Sequence, residues 1–395
     1  MNLQMTKLGE ICEFINGDRG KNYPSGNDIV KEGVPFINAG HIQNNKINLE
    51  EMNYITEEKY NLLGSGKIKK GDIVYCLRGS LGKYGIISLE KGAIASSLVI
   101  LRPNKCIVEP RFLMHYLGST YIQKQIYKAN NGSSQPNLSA QSVKNFDIYL
   151  PCLNIQNKIV NILDQAQELI DKRKAQIEAL DELIQSVFYE IFGDVFLNRS
   201  GWKECFLEEL CEEIVDCPHS TPIYSEGVTQ YPCIRTSEIS NGYIKWDSMK
   251  YLDEEEYFKR VKRLIPKPGD IVYAREGTFG DAIIIPNSTE MCLGQRVMLF
   301  RTKSDVNAVF FWGMIRSNGV YYQALNNTSG STVGHVNIKD IKKFKCLVVP
   351  LELQNKFAEI VASIEKQKEL LNESLVELEN NFNSLMQRAF KGELF

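Results

Sequence analysis

The sequence predicts an α+β protein built as an internal repeat. Two similar globular halves are each followed by a long helix, and the two helices pack as an antiparallel coiled coil about a pseudo-two-fold axis. Three observations carry this expectation: a heptad stripe that occurs twice, short motifs repeated at an offset of 198 residues, and apolar runs separated by Gly/Asn turns in each half.

In the first helical stretch, apolar residues recur every seven places at Leu163, Ile170, Ile177, Ile184 and Ile191, with a second row at Ile159, Ala166, Leu180 and Val187. Alternating steps of four and three place both rows on one helix face, the seam of a coiled coil. The same stripe returns as Val361, Leu375, Phe382 and Ala389 beside Phe357, Ile364, Leu371, Leu378 and Leu385. Each seam holds one base, Arg173 or Lys368, a residue type that lowers stability and fixes register. About 35 residues at 1.5 Å per residue give a rod of roughly 50 Å. Neither rod can bury its stripe alone.

The globular halves repeat as well. Gly71-Asp72-Ile73-Val74-Tyr75 returns as Gly269-Asp270-Ile271-Val272-Tyr273, Pro35-Phe36-Ile37 as Pro232-Cys233-Ile234, and Gly132-Ser133-Ser134 as Gly330-Ser331-Thr332. So many matches at one offset indicate a duplicated unit. The expected segments are residues 1–152, helix 153–192, residues 193–350 and helix 351–395. Short β-rich runs such as Asp72 to Cys76, Tyr84 to Ser88 and Ser97 to Leu101 read as strands, and Pro110 to Lys128 and Asp305 to Leu325 as helical patches.

Bulk properties narrow the function. The 395 residues exceed one compact core, and 43% hydrophobic with 24% charged residues is ordinary for a water-soluble fold. Neither a run of 18 apolar residues nor a signal-like N-terminus occurs, so a cytoplasmic location is expected. Ten irregularly spaced cysteines read as reduced thiols. The four successive segments carry net charges of +5, −3, −1 and −3. A blanket nucleic-acid coat is therefore excluded, and DNA, if bound, meets the globular halves rather than the rods. Two inverted readers on antiparallel rods suit a bipartite DNA site, with half-site centres at most roughly 15 base pairs apart at 3.4 Å per pair.

Catalytic motifs are missing: there is no P-loop, no GxGxxG after a strand, no HExxH and no Pro-Pro. The run Asp253 to Glu256 before Lys259 and Arg260 reads as a solvated helix with opposite charges one turn apart rather than a nuclease centre. Binding candidates are stronger. Two hydroxyl-rich, Gly-flanked loops recur at the same place, offering Ser133, Ser134, Gln135 and Asn137 in the first half and Ser331, Thr332 and His335 in the second. Such loops suit phosphates and base edges, against a plain surface turn. Arg78 and Lys83, then Arg235, Arg275, Gln295 and Arg296, can make bidentate base contacts, against ion pairs inside the fold. His219 and Thr221 belong to a polar turn that can touch DNA or cap a helix.

The whole plan resembles the specificity subunit of type I restriction-modification systems. The resemblance rests on Asp216-Cys217-Pro218-His219-Ser220-Thr221-Pro222, Gly269-Asp270-Ile271, Arg275-Glu276-Gly277-Thr278, Leu293-Gly294-Gln295-Arg296, Ser329 to Thr332 with His335, and the closing Gln387 to Leu394. It covers nearly the whole chain. It implies two target recognition domains that read a split DNA sequence, with Thr278 joining the contacts, and helices that act as spacer and docking surface through Ile170, Ile177, Leu180, Ile184, Leu371, Leu375, Leu378 and Phe382. It also implies a non-catalytic chain with no cofactor or metal of its own. Its partners would be double-stranded DNA, two modification subunits that methylate adenine with S-adenosylmethionine, and restriction subunits using ATP and Mg²⁺. The first half departs from the pattern, having Ser96-Ser97 where the second has Gln295-Arg296, so the halves should read different sequences. The rival class is a coiled-coil scaffold or DNA-mimicking inhibitor of restriction, but a mimic needs strongly acidic globular halves.

Overall fold

A computed structural model describes residues 5–130, 137–277, 280–287, 289–326 and 336–394. The chain forms two compact units, residues 1–173 with 374–395, and residues 174–373. Both long helices, Leu153–Phe192 and Leu351–Phe390, therefore contribute to each unit.

In the first unit a six-stranded sheet runs in the order Cys12–Asn16, Leu98–Pro103, Ile73–Cys76, Tyr84–Ile86, Lys46–Ile47, Ile42–Gln43, beside a four-stranded sheet built around Val34–Ile37 and Asn53–Ile55. The second unit has a four-stranded sheet, Cys211–Asp216, Val297–Thr302, Ile271–Ala274, Ala282–Ile284, and a three-stranded one, Lys250–Leu252, Tyr231–Ile234, Cys292–Leu293. The register Val74↔Ile100 in the first is repeated as Val272↔Leu299 in the second. Sheet mixed with helix is the α+β class expected.

The recurrent Gly-Asp motif now has a physical account. Gly71 and Gly269 share φ +88°, a left-handed turn open to glycine. The carboxylate that follows caps the turn, Asp72 accepting from Lys69 N and Asp270 from Lys267 N. Each also receives both arms of an arginine on the neighbouring strand, Arg102 at 2.8 and 2.9 Å and Arg301 at 2.9 and 2.7 Å. Bidentate pairing offsets the desolvation of a carboxylate that burial would otherwise destabilise.

Each long helix is anchored at its start by a buried glutamine. Gln156 accepts from Glu109 N and donates to the Ile107 and Pro151 carbonyls, and Gln354 accepts from Asn307 N and donates to Asp305 and Val349. The two expected helical patches each split in two. Ser119 separates Pro110–Gly118 from Thr120–Ala129, and Ser317 separates Ala308–Ile315 from Asn318–Asn326. In both cases the buried hydroxyl donates to a carbonyl of the ending turn, Tyr116 or Met314, and so competes with helix continuation.

Within the second unit the helix segments run antiparallel. Phe192 and Phe188 both meet Phe357 at 5.6 Å, and Asp181, further back, pairs with Lys368. In the first unit Ile159, Val160 and Leu163 share a core with Met386, Ala389 and Phe390. Lys368, expected in the seam, is buried there. Its ammonium contacts Asp181 and lies 3.5 Å from the ring centroid of Tyr243, whose hydroxyl donates to Asp181 and Glu365 at 2.8 and 2.5 Å. Burial among these carboxylates pushes the Tyr243 hydroxyl well above the ordinary phenol range.

Two of the residues assigned to subunit docking need correction. Ile170 and Ile184 are buried in the helix seam, and Ile177, Leu180, Leu371, Leu375, Leu378 and Phe382 are half-buried. A heptad stripe marks the face a helix turns to its own fold. Large apolar groups left for solvent include Leu169, Leu183, Leu370 and Val376, with Leu351 at the start of the second helix. Among the described residues no helix is long and apolar enough to cross a membrane.

Candidate nucleic-acid interface

Three neighbouring strands of the second unit bring distant residues to one sheet end. Cys211–Asp216 finishes there at Asp216, Ile271–Ala274 runs into Arg275, and Val297–Thr302 starts just after Gln295 and Arg296. Backbone bonds lock the junction: Arg275 N donates to Arg296 O at 3.0 Å and Cys217 N to Val297 O at 3.3 Å. A cavity of about 200 Å³ opens between these chain ends, lined by Cys217, Pro218, His219, Arg275, Glu276, Gln295 and Arg296. Four residues singled out from sequence, His219, Arg275, Gln295 and Arg296, thus converge. Thr221 joins them by accepting from Gln295 Nε2 at 3.0 Å.

Arg296, exposed at the mouth, has φ +65°, an uncommon conformation for a side-chain-bearing residue, and its Nε lies 2.9 Å from Glu276. Arg275 is only 6% exposed, with Nη2 2.8 Å from Asp216 Oδ1. The two are close without hydrogen-bond alignment, since Arg275 Nε and Asp216 Oδ1 both lack a hydrogen-bond partner. His219 stands 3.4 Å from the other Asp216 oxygen.

Sequence reasoning missed the residue that holds this site open. Arg260, assigned to a solvated helix face, is buried, and its guanidinium donates to the carbonyls of Pro218, Ser220, Leu293 and Gly294. It clamps both loops that carry the candidate side chains. Its neighbour Lys259 does sit on the solvated face, paired with Glu255 at 2.8 Å. A charge run whose helical period brings Arg260 onto the same face as buried Tyr257 was the available signal. Asp216 and Glu276 were also passed over, although both lie inside the quoted motifs.

Two arginine-type candidates are corrected. Arg235 donates through Nε and Nη2 to the fully buried Glu238, at 3.0 and 2.6 Å, and lies over the Tyr224 ring. The Glu238 carboxylate raises the Arg235 pKa further, so its role is the internal ion pair. Lys83 donates to Ala39 O at 3.1 Å and ties a turn of the first domain. Arg78 remains exposed, bridged through its backbone to Asn137. Ser133, Ser134, Gln135, Thr278, Ser331, Thr332 and His335 lie outside the described residues.

Among the described residues the first domain carries no equivalent charged pair. Sheet register places Asn16 and Leu77 where the second domain has Asp216 and Arg275, with Leu77 N bonded to Ser97 O as Arg275 N is to Arg296 O. Gly17, the counterpart of Cys217, has no room for a side chain, since a Cβ would lie 2.4 Å from Ala95 O. Its own polar cavity, about 150 Å³, is lined by Asn38, Gly40, His41, Gln43, Asn48 and Glu51.

The profile of the family described as type I restriction modification DNA specificity domain matches this chain twice, over residues 2–179 and 199–380. The chain belongs to that family. It is 23% identical over 418 residues to the MjaX type I restriction enzyme specificity subunit of Methanocaldococcus jannaschii, covering 99% of this chain and 93% of that one. It is 22% identical over 421 residues to the EcoKI specificity subunit of Escherichia coli K12, covering 98% and 88%. A solved chain from a study of complex assembly and conformational transition of the type I R-M system aligns over all of both chains, with TM-score 0.63 and 18% identity. The specificity-subunit fold, with two similar domains and two long helices, is thus the fold of this protein, and the relatives are specificity subunits rather than catalytic chains.

Proposed function

We propose that this protein selects the DNA sequence for a type I restriction-modification complex, each domain reading one part of a bipartite site. The observation that carries this is the convergence of His219, Arg275, Gln295 and Arg296 on one cavity of a DNA specificity domain. Side chains with several fixed donors, on turns at a sheet end, suit base edges in the major groove. The two domains differ at equivalent places, so they read different half-sites.

In this reading the chain is non-catalytic and holds no cofactor. Two modification subunits supply S-adenosylmethionine-dependent adenine methylation, restriction subunits supply ATP- and Mg²⁺-dependent cleavage, and both dock on the long helices. The outward Leu169, Leu183, Leu370 and Val376 are among the apolar groups open to them. The scaffold or DNA-mimic alternative is disfavoured by the halves' net charges of +5 and −1.

The test is to map methylated adenines in cells expressing the modification subunits with wild-type chain, with Arg296→Ala, or without the chain. Methylation at a split sequence that requires the chain, and relaxation at one half only in the variant, is expected. Methylation independent of the chain, or equal relaxation of both halves, refutes the reading.

A further inference from the structure

We propose that Arg275, in the lining of the second-domain cavity, and Asp216, which stands against it, read one G·C base pair, Arg275 donating to the guanine edge and Asp216 accepting from the cytosine amino group. This rests on the domain being a DNA reader and names what this pair of residues recognises.

Buried polar atoms are almost always hydrogen-bonded, yet here a buried donor, Arg275 Nε, and a neighbouring buried acceptor, Asp216 Oδ1, both lack a partner. Arg275 lines the cavity, so a ligand entering it can complete the bonding. His219 is turned to the other carboxylate oxygen, and Oδ1, 2.8 Å from Arg275 Nη2, keeps its hydrogen-bonding capacity unfilled.

Arg275 stands against Asp216 and Arg296 against Glu276, so the two guanidiniums and two carboxylates cancel. A phosphate would call for uncompensated cations. A neutral ligand with acceptors next to a donor fits this balance. The G·C pair presents that order in the major groove, with guanine N7 and O6 as adjacent acceptors and cytosine N4 as donor. A·T interleaves its acceptors with the adenine amino group and adds the thymine methyl, which would meet the charged pair.

Asn16 and the buried Leu77 occupy these places in the first domain, so this charged pair belongs to the second half-site alone.

The experiment uses the full-length chain and a duplex library randomised over both half-sites, followed by base analogues in the selected sequence. The unaltered protein is expected to lose roughly 10- to 100-fold in affinity at one G·C position when guanine becomes 7-deazaguanine, which lacks the N7 acceptor. N4-methylcytosine in the partner strand should weaken the same position. Asp216→Asn and Arg275→Gln, checked for folding by thermal unfolding, should relax that position while leaving the first half-site and the salt dependence unchanged. Sensitivity at no G·C position, or selection of A·T where the variants relax, overturns the proposal. So does a variant whose salt slope falls by about one while base preference persists, the mark of a phosphate contact. A wild-type chain that selects no sequence at all overturns the DNA-reading premise instead.

Discussion

Replacing Arg296 by Gly and by Ala should separate what the residue does for the fold from what it does for the ligand. At φ +65° a side chain crowds its own backbone, which disfavours this conformation by about 1–2 kcal/mol relative to glycine. The Nε contact to Glu276, with Arg296 largely exposed, returns only about 0.2–1 kcal/mol. Glycine relieves the strain and loses the pair, and also gains some unfolded-state freedom. Alanine loses the pair and keeps the strain. Arg296→Gly should therefore leave the second unit as stable as wild type or slightly more so, and about 1 kcal/mol more stable than Arg296→Ala. That difference is worth roughly 2–4 °C in unfolding midpoint for a unit of about 200 residues. Calorimetry of the three proteins reads the first half of this prediction, and selection from a randomised duplex library reads the second, in which both variants relax one half-site. Equal midpoints for the two variants would refute the strain argument. Retained discrimination in the glycine variant would show that Arg296 reads nothing.

Three further outcomes follow from the packing. Lys368→Ala leaves Asp181 and Glu365 without their cation, and because both carboxylates are about a third exposed the loss should be about 1–3 kcal/mol. Chemical denaturation reads it, and no change would show that the seam lysine is neutral. Gln156→Ala and Gln354→Ala each strip partners from three backbone groups at a helix start. Each should lower stability by about 2–4 kcal/mol, and the double variant should show the sum, as expected for separate sites. His115 has its pKa pushed down to about 4 by burial and by the Arg111 charge. Asp164 lies 2.7 Å from its Nε2 and would raise it, but that carboxylate also pairs with Arg111, so burial prevails. The unfolded chain then takes up a proton near pH 6.5 that the folded chain refuses until about pH 4. Stability should fall by roughly 2–3 kcal/mol between those values, and His115→Gln should flatten the slope in unfolding curves over that range.

Sequence alone revealed the duplication, both long helices and the mixed sheet content, because periodicity and repetition report backbone geometry directly. Four candidates converge on one cavity because they sit on turns next to recognisable strand motifs. Other site features were hidden. A lone arginine carries no mark of its partner: Arg235 and Arg275 look alike in sequence, but Arg235 finds Glu238 three residues away in the same turn, while Arg275 meets Asp216 only after three strands align. Arg260 was hidden for the converse reason, since neighbouring charges made its helix look wholly solvated when one of its faces is buried. Seam residues were read as docking groups because a stripe long enough to recruit a partner is equally able to bury itself against its own fold.

The duplicated protein has kept and varied different things, and the division follows the physics. Asp72–Arg102 and Asp270–Arg301, Gln156 and Gln354, and Ser119 and Ser317 are retained in pairs. Each of them satisfies buried polar groups that no apolar substitute could satisfy, so loss of any one would destabilise a whole domain. At the sheet end the copies diverge completely, Asn16, Leu77, Ser96 and Ser97 against Asp216, Arg275, Gln295 and Arg296. Such divergence is tolerable only where the frame beneath does not depend on the side chains above it. In the second domain that independence comes from Arg260, which fixes both loops through their carbonyls and so places no demand on their side chains. A reader arranged in this way can change its target by substitution at the cavity while the clamp, the glutamine anchors and the turn carboxylates keep the domain folded.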